Sequence, residues 1–98
     1  MGELSSQDIA ALRASGQAVE VAFQVGKAGV TDGVVKELGQ WLEREPLVKV
    51  RMMKGALGEA DAKTVAQDLA TRAGVTLIEV RGHTALFYRP RGRRAKRS

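Results

Sequence analysis

Two stretches of alternating character, AVEVAFQV (18–25) and LVKVRMMK (47–54), flank one helical stripe, TDGVVKELGQWLERE. This switch of apolar period from two to about 3.6 and back constrains the fold more than any other feature. In the first stretch Val19, Val21 and Phe23 share a face, with Glu20 opposite. In the second, Val48, Val50 and Met52 share one face, and Lys49, Arg51 and Met53 the other. That half-wet second face is what a sheet covered on only one side requires. Between the strands Thr31 suits an N-cap, and Val34, Leu38, Trp41 and Leu42 form the apolar stripe. Pro46 ends the helix, because proline disfavours helical geometry in the residue before it.

The flanking segments extend the pattern. A short helix over Leu4–Ala14 has Ser5 or Ser6 as its cap, Asp8 in its first turn, and Ile9 and Leu12 on one face. Gly16 stands where a helix-terminating glycine is expected. Gly55 and Gly58 open a third helix with the stripe Ala62, Val65, Ala66 and Leu69, and Gly74 closes it. TLIEVRGHTALFYR (76–89) then reads as a hairpin turning at Gly82-His83. The order is α-β-α-β-α-β-β. The fold class is therefore α/β (α+β), with a single compact domain over residues 1–90 and a mixed sheet of about four strands under packed helices. Its expected core comprises Val21, Phe23, Val34, Leu38, Trp41, Val48, Val50, Leu69, Ile78 and Leu86.

The net charge of +5 is unevenly placed. Arg89, Arg91, Arg93, Arg94, Lys96 and Arg97 contribute six positive charges, which leaves residues 1–88 at −1. The segment 91–98 has almost no apolar content to bury, so it reads as a basic, disordered tail. Such arms attract nucleic acid or another anionic surface, and solubility is the plainer alternative.

Catalytic chemistry finds few parts. There is no cysteine for a thiolate nucleophile, disulfide or thiolate metal site. The lone histidine, His83, falls in the hairpin turn, where surface or packing roles are commoner than base catalysis. No G-x-x-x-x-G-K-[ST] or G-x-G fingerprint occurs, and the carboxylates are scattered over helix faces. The chain reads as a non-enzyme with no cofactor, no metal and no small-molecule substrate. It lacks an apolar run able to span a bilayer, which points away from the membrane and to the cytoplasm.

One short loop is more informative. Gly26-Lys27-Ala28-Gly29 lies between the first strand and the second helix. Eleven glycines in 98 residues yield about 1.2 G-x-x-G pairs by chance, so the motif alone decides little. Its position decides more. Glycines let a ribose-phosphate backbone approach, amides at a strand-to-helix junction face outward, and Lys27 adds a cation at the tip. Physically this is the device by which G-x-x-G loops clamp nucleotides in KH modules. Asp32, in the first helical turn, would repel a phosphate docked at the helix end, so contact falls to the loop tip. The second pair, Gly55-Ala56-Leu57-Gly58, carries apolar residues between its glycines and reads as a turn.

VGKAGVTDGVVKEL, then LVKVRM, then AQDLATRAGVTLIEVRGHTALFYRP together resemble the CRM domain, the RNA-binding module of chloroplast splicing factors and bacterial YhbY-type ribosome-assembly proteins. The closest marks are the G-K-x-G loop before Thr31-Asp32-Gly33-Val34, the strand from Leu47 to Arg51, and Gly82 followed after four residues by Phe87-Tyr88-Arg89-Pro90. The resemblance covers residues 4–90. It implies a fold similar to the C-terminal domain of bacterial translation initiation factor three and no catalytic activity. It also implies RNA binding through the loop and adjacent basic surface, with ribosomal RNA or large-subunit precursor particles as partners. Gly26, Lys27, Ala28 and Gly29 match the family's loop. The first helix departs from the family's Lys- and Arg-rich pattern, offering only Arg13.

The expected site therefore comprises Gly26 to Gly29, Lys36 flanking from the following helix, Lys49 and Arg51 on the open sheet face, and Arg89, Arg91, Arg93, Arg94, Lys96 and Arg97 for long-range attraction. For Lys49 and Arg51 an ordinary solvated strand face is the competing reading. Phe87 and Tyr88 suit either base stacking or packing. The alternative function is a protein-interaction module whose tail binds an acidic surface.

Overall fold

A computed structural model describes residues 5–53 and 61–89. Within these, the elements are α1 (Ser6–Gly16), β1 (Val21–Val25), α2 (Asp32–Arg44), β2 (Leu47–Met52), α3 (Ala62–Ala73), β3 (Thr76–Arg81) and β4 (Thr84–Tyr88). The strands form one mixed sheet in the order β1-β2-β4-β3. β1 and β2, joined through α2, run parallel, whereas β4 lies antiparallel to both β2 and β3. The expected order of elements and the mixed sheet are both present.

Each helix begins where a side chain can satisfy an otherwise unpaired amide. Ser5 and Asp8 form a reciprocal capping box, each side chain accepting from the other's backbone N–H at 3.1 Å. Thr31 Oγ1 accepts from the Val34 amide at 3.2 Å, and Asp61 Oδ1 from the Thr64 amide at 2.8 Å. The Thr64 amide holds the Asp61 carboxyl below the usual carboxylate range. Before Pro46, Glu45 is extended (φ −119°, ψ 138°), and Gly74 closes α3 in the left-handed region at φ 71°. Gly82 turns the β3–β4 hairpin at φ 62°. The glycines expected to open α3, Gly55 and Gly58, lie outside the described residues.

The core lies between one face of the sheet and the pair α2 and α3. Val25, Val48, Val50, Met52, Ala85 and Phe87 meet Leu38 and Leu42 of α2, and Val65, Ala66, Leu69 and Ala70 of α3. Phe87 is completely buried, which assigns it to packing and removes it as a base-stacking surface.

Three expectations are corrected. Val21 does not share a face with Phe23. A bulge between them pairs Val21 with Lys49 but Phe23 with Val50, so Val21 turns away from the core and is 42% exposed. The second sheet face is not bare either. α1 lies against β2 and β3 there, and Leu86 is buried beneath its C-terminal end. Lastly, Gly16 is no terminator. It lies within the last turn of α1, and the cap is Gln17 in ordinary right-handed geometry (φ −65°, ψ −25°). Its role is close approach, since a Cβ there would overlap Leu86 Cδ2.

Gly39, midway along α2, has the opposite character. Nothing lies within 4 Å of the position a Cβ would take. Gly39→Ala is therefore expected to stabilise the fold by about 0.5–1 kcal/mol, through helix propensity and a less flexible unfolded chain. A urea midpoint that fails to rise would show that something other than propensity governs this site.

Candidate functional site

The sequence following β1 folds into a tight turn. The Gly29 amide donates to the Gly26 carbonyl at 2.9 Å, and Gly29 adopts φ 76°. Two hydrogen bonds fix its ends. The Met53 amide donates to the Val25 carbonyl at 3.0 Å, so the turn starts level with the end of β2. On the other side Arg72 Nη1, from α3, donates to the Val30 carbonyl at 3.4 Å, while Arg72 Nε pairs with Asp68 at 3.2 Å. Lys27 and Ala28 are left at the exposed tip. Among the described residues, no backbone group accepts from the amide of either.

The two loop glycines differ in kind. Gly29 needs its left-handed backbone, which side chains resist. Gly26 has no positive φ, and nothing lies within 4 Å of its missing Cβ. Neither backbone nor packing requires glycine at 26. An open approach to the main chain is what the missing side chain leaves.

Lys49 and Arg51 both point to the sheet face that carries α1, as the alternation of β2 demands. Two transverse rows of side chains cross this face. One runs Val21, Lys49, Leu86, Glu79 over β1, β2, β4 and β3. The other runs Gln24, Arg51, Thr84, Arg81. Where the C-terminal end of α1 meets the sheet, a groove of about 340 Å³ opens between them, lined among others by Gln17, Lys49, Arg51, Glu79, Arg81 and Thr84. Its single carboxylate is engaged from both sides. Arg13 Nε reaches Glu79 Oε1 at 3.0 Å, and Arg81 Nε stands 3.7 Å from Oε2. The nearer of these two cations comes from α1 and does not line the groove, so Arg13 serves chiefly to neutralise Glu79.

Lys36 lies elsewhere. It is exposed on the outer side of α2, beside Gly33, Glu37, Gln40 and Trp41, on the opposite layer from Lys49 and Arg51. The Arg44 guanidinium covers the Trp41 ring at 5.6 Å there. Arg89 is half-buried, its amide donating to the Pro46 carbonyl at 3.4 Å, and its Nη1 is buried without a hydrogen-bond partner among the described residues. It is thus anchored to the end of the sheet. Arg91, Arg93, Arg94, Lys96 and Arg97 lie outside the described residues. Among the described residues no three His, Cys, Asp or Glu side chains gather to hold a metal ion, and no helix is long and apolar enough to cross a membrane.

Arg72 and Arg81 were not legible as site residues. Arg72 meets the loop across 42 positions of sequence, and Arg81 joins Arg51 only through the sheet register. The lone signal for Arg81 was its place as the last cation before the Gly82 turn.

Comparison with known proteins places this geometry in a family. A model of the CRS1/YhbY (CRM) domain matches residues 4–89. The chain belongs to the CRM domain family. It is 35% identical over 80 residues to a Methanocaldococcus jannaschii protein named "Probable RNA-binding protein MJ0652", covering 82% of this chain and 59% of that one. It is 32% identical over 78 residues to "Probable RNA-binding protein YqeI" of Bacillus subtilis, covering 80% of this chain and 79% of the relative. The chain thus spans rather more than half the length of the archaeal relative. The solution structure of the hypothetical protein SAV1595 from Staphylococcus aureus superposes with a TM-score of 0.74 at 25% identity, over 90% of both chains. The CRM match takes in the Gly26–Gly29 turn, the β2 strand and the β3–β4 hairpin together.

Proposed function

We propose that this CRM-domain chain is a non-catalytic RNA-binding protein of the cytoplasm that associates with large (50S) ribosomal subunit precursors during ribosome assembly. It contacts RNA through the Gly26–Gly29 turn, through Lys49 and Arg51, and through the basic residues from Arg89 to Arg97. The names of the archaeal and Bacillus relatives support the RNA-binding part of this reading. The observation that carries the loop's share is Gly26, a glycine that the fold does not need beside an exposed lysine. Such a site suits a ribose-phosphate backbone passing close to the main chain, with Lys27 meeting a phosphate. Lys36 then stands on a separate face and would contribute only at the loop's margin.

Lys27→Ala is expected to weaken binding to every RNA tested by about 1 kcal/mol or less, because a phosphate contact carries no sequence information. Gly26→Asp should weaken it more, by adding bulk and like charge where the fold itself has room. This variant is cleaner than Gly29→Asp, which would also strain the left-handed turn. Binding isotherms to ribosomal precursor RNA check both, with circular dichroism for folding. Unchanged isotherms in two folded variants would take the loop out of the site. Equal affinity for a polyanion that lacks bases would favour an acidic protein surface as the partner.

A further inference from the structure

The two rows on the α1 side of the sheet have unequal charge. In the first, Lys49 is the one cation, Glu79 is held by Arg13 of α1, and Val21 and Leu86 are apolar. In the second, every member is polar or cationic. Gln24, Arg51 and Arg81 are exposed, and Thr84 is half-buried. Cross-strand partners project to the same side, so these four side chains form one line perpendicular to the strands. The line starts two residues before Gly26 and ends at the residue before the Gly82 turn. With strands about 4.8 Å apart, it crosses roughly 14 Å of sheet.

We infer that this row is a track for single-stranded RNA leaving the Gly26–Gly29 turn, with Arg51 and Arg81 each holding one backbone phosphate. The inference rests on the RNA-binding reading above and names a path within it. Three observations carry it. The two arginines are kept apart by the small Thr84, so their like charges do not meet directly. Arg51 has no carboxylate within ion-pair distance among the described residues, and Arg81 reaches only an acid already held at 3.0 Å by Arg13. The groove beside the row, about 340 Å³, admits an unpaired base or ribose and is far too small for a duplex. Thr84 places a hydroxyl between the two phosphate sites, and Gln24 an amide between the loop and Arg51, within the register where base edges and 2′-hydroxyls pass.

The test uses the full chain and single-stranded RNA oligonucleotides of increasing length, titrated against salt. In Arg51→Gln/Arg81→Gln the slope of log affinity against log salt is expected to fall by about 1.4, since each single-strand phosphate contributes roughly 0.7. The gain in affinity on lengthening the oligonucleotide past the loop site should disappear in the same variant. Circular dichroism shows whether it is folded, and the single variants, each expected to lower the slope by about 0.7, supply the same comparison if it is not. An unchanged slope in folded variants, while Lys27→Ala still weakens binding, would overturn the track and leave the RNA-binding reading standing. Intact protein that bound no RNA would overturn both. Equal binding of a blunt RNA duplex, with the same arginine dependence, would overturn the assignment to a single strand.

Discussion

Truncation after Pro90 is expected to flatten the salt dependence of RNA binding by a slope of about 3, the contribution of roughly four single-strand phosphates. The charge distribution makes this the largest effect available. Five of the six cations beyond residue 88 are removed, from a chain whose other residues sum to −1. A fourfold rise in salt would then cost the truncated protein about sixtyfold less affinity than it costs the intact one. Arg89 survives the cut, held at the end of the sheet beside Pro46, so its contribution is common to both proteins. Discrimination between ribosomal precursor RNA and an unrelated RNA should persist, because a basic arm reads charge while the folded surface reads shape. Salt titrations of both proteins on both RNAs measure this. Lost discrimination with an unchanged slope would reverse the division of labour.

Gly16→Ala is expected to destabilise the fold by about 2 kcal/mol, the usual cost of forcing a methyl into a filled site. Helix propensity alone argues the other way, since alanine is favoured over glycine by about 1 kcal/mol within a helix. The contact decides the sign. A Cβ at 16 would overlap Leu86 Cδ2 and stand 3.1 Å from Cδ1, and Leu86, only 3% exposed, would have to leave its packed position and turn toward the groove. Leu86→Val should therefore be less harmful, or even beneficial, in the Gly16→Ala background, although alone it removes buried volume. Urea denaturation of the four proteins closes the cycle. A Gly16→Ala protein as stable as the parent would mean that α1 docks less tightly than described, and the groove beside Lys49 and Arg51 would lose its wall.

Much of the fold was legible because it depends on local chemistry. Thr31, Ser5 and Gly74 cap or close their helices as their positions suggest, and Pro46 ends α2 through the geometry it imposes on Glu45. The alternation in β2 separates Val48, Val50 and Met52 from Lys49 and Arg51, because a strand has no other way to orient successive side chains. The Gly26–Gly29 turn was likewise readable from its glycines and its place between elements.

What the sequence by itself determined was the identity of the elements, their order and the sidedness of β2. Tertiary structure alone decided the rest. The bulge that rotates Val21 out of the core exists only in the pairing of β1 with β2, since AVEVAFQV alternates without interruption. Gly16 resembles a terminator in sequence, and only the docking of α1 on Leu86, 70 positions away, shows it to be a close-approach residue. The arginine row is of the same kind. Arg51 and Arg81 are 30 residues apart, and β4 must insert between their strands before Thr84 aligns them. Local propensity reports on neighbours in the chain, whereas register and helix docking are settled by which surfaces exclude water together.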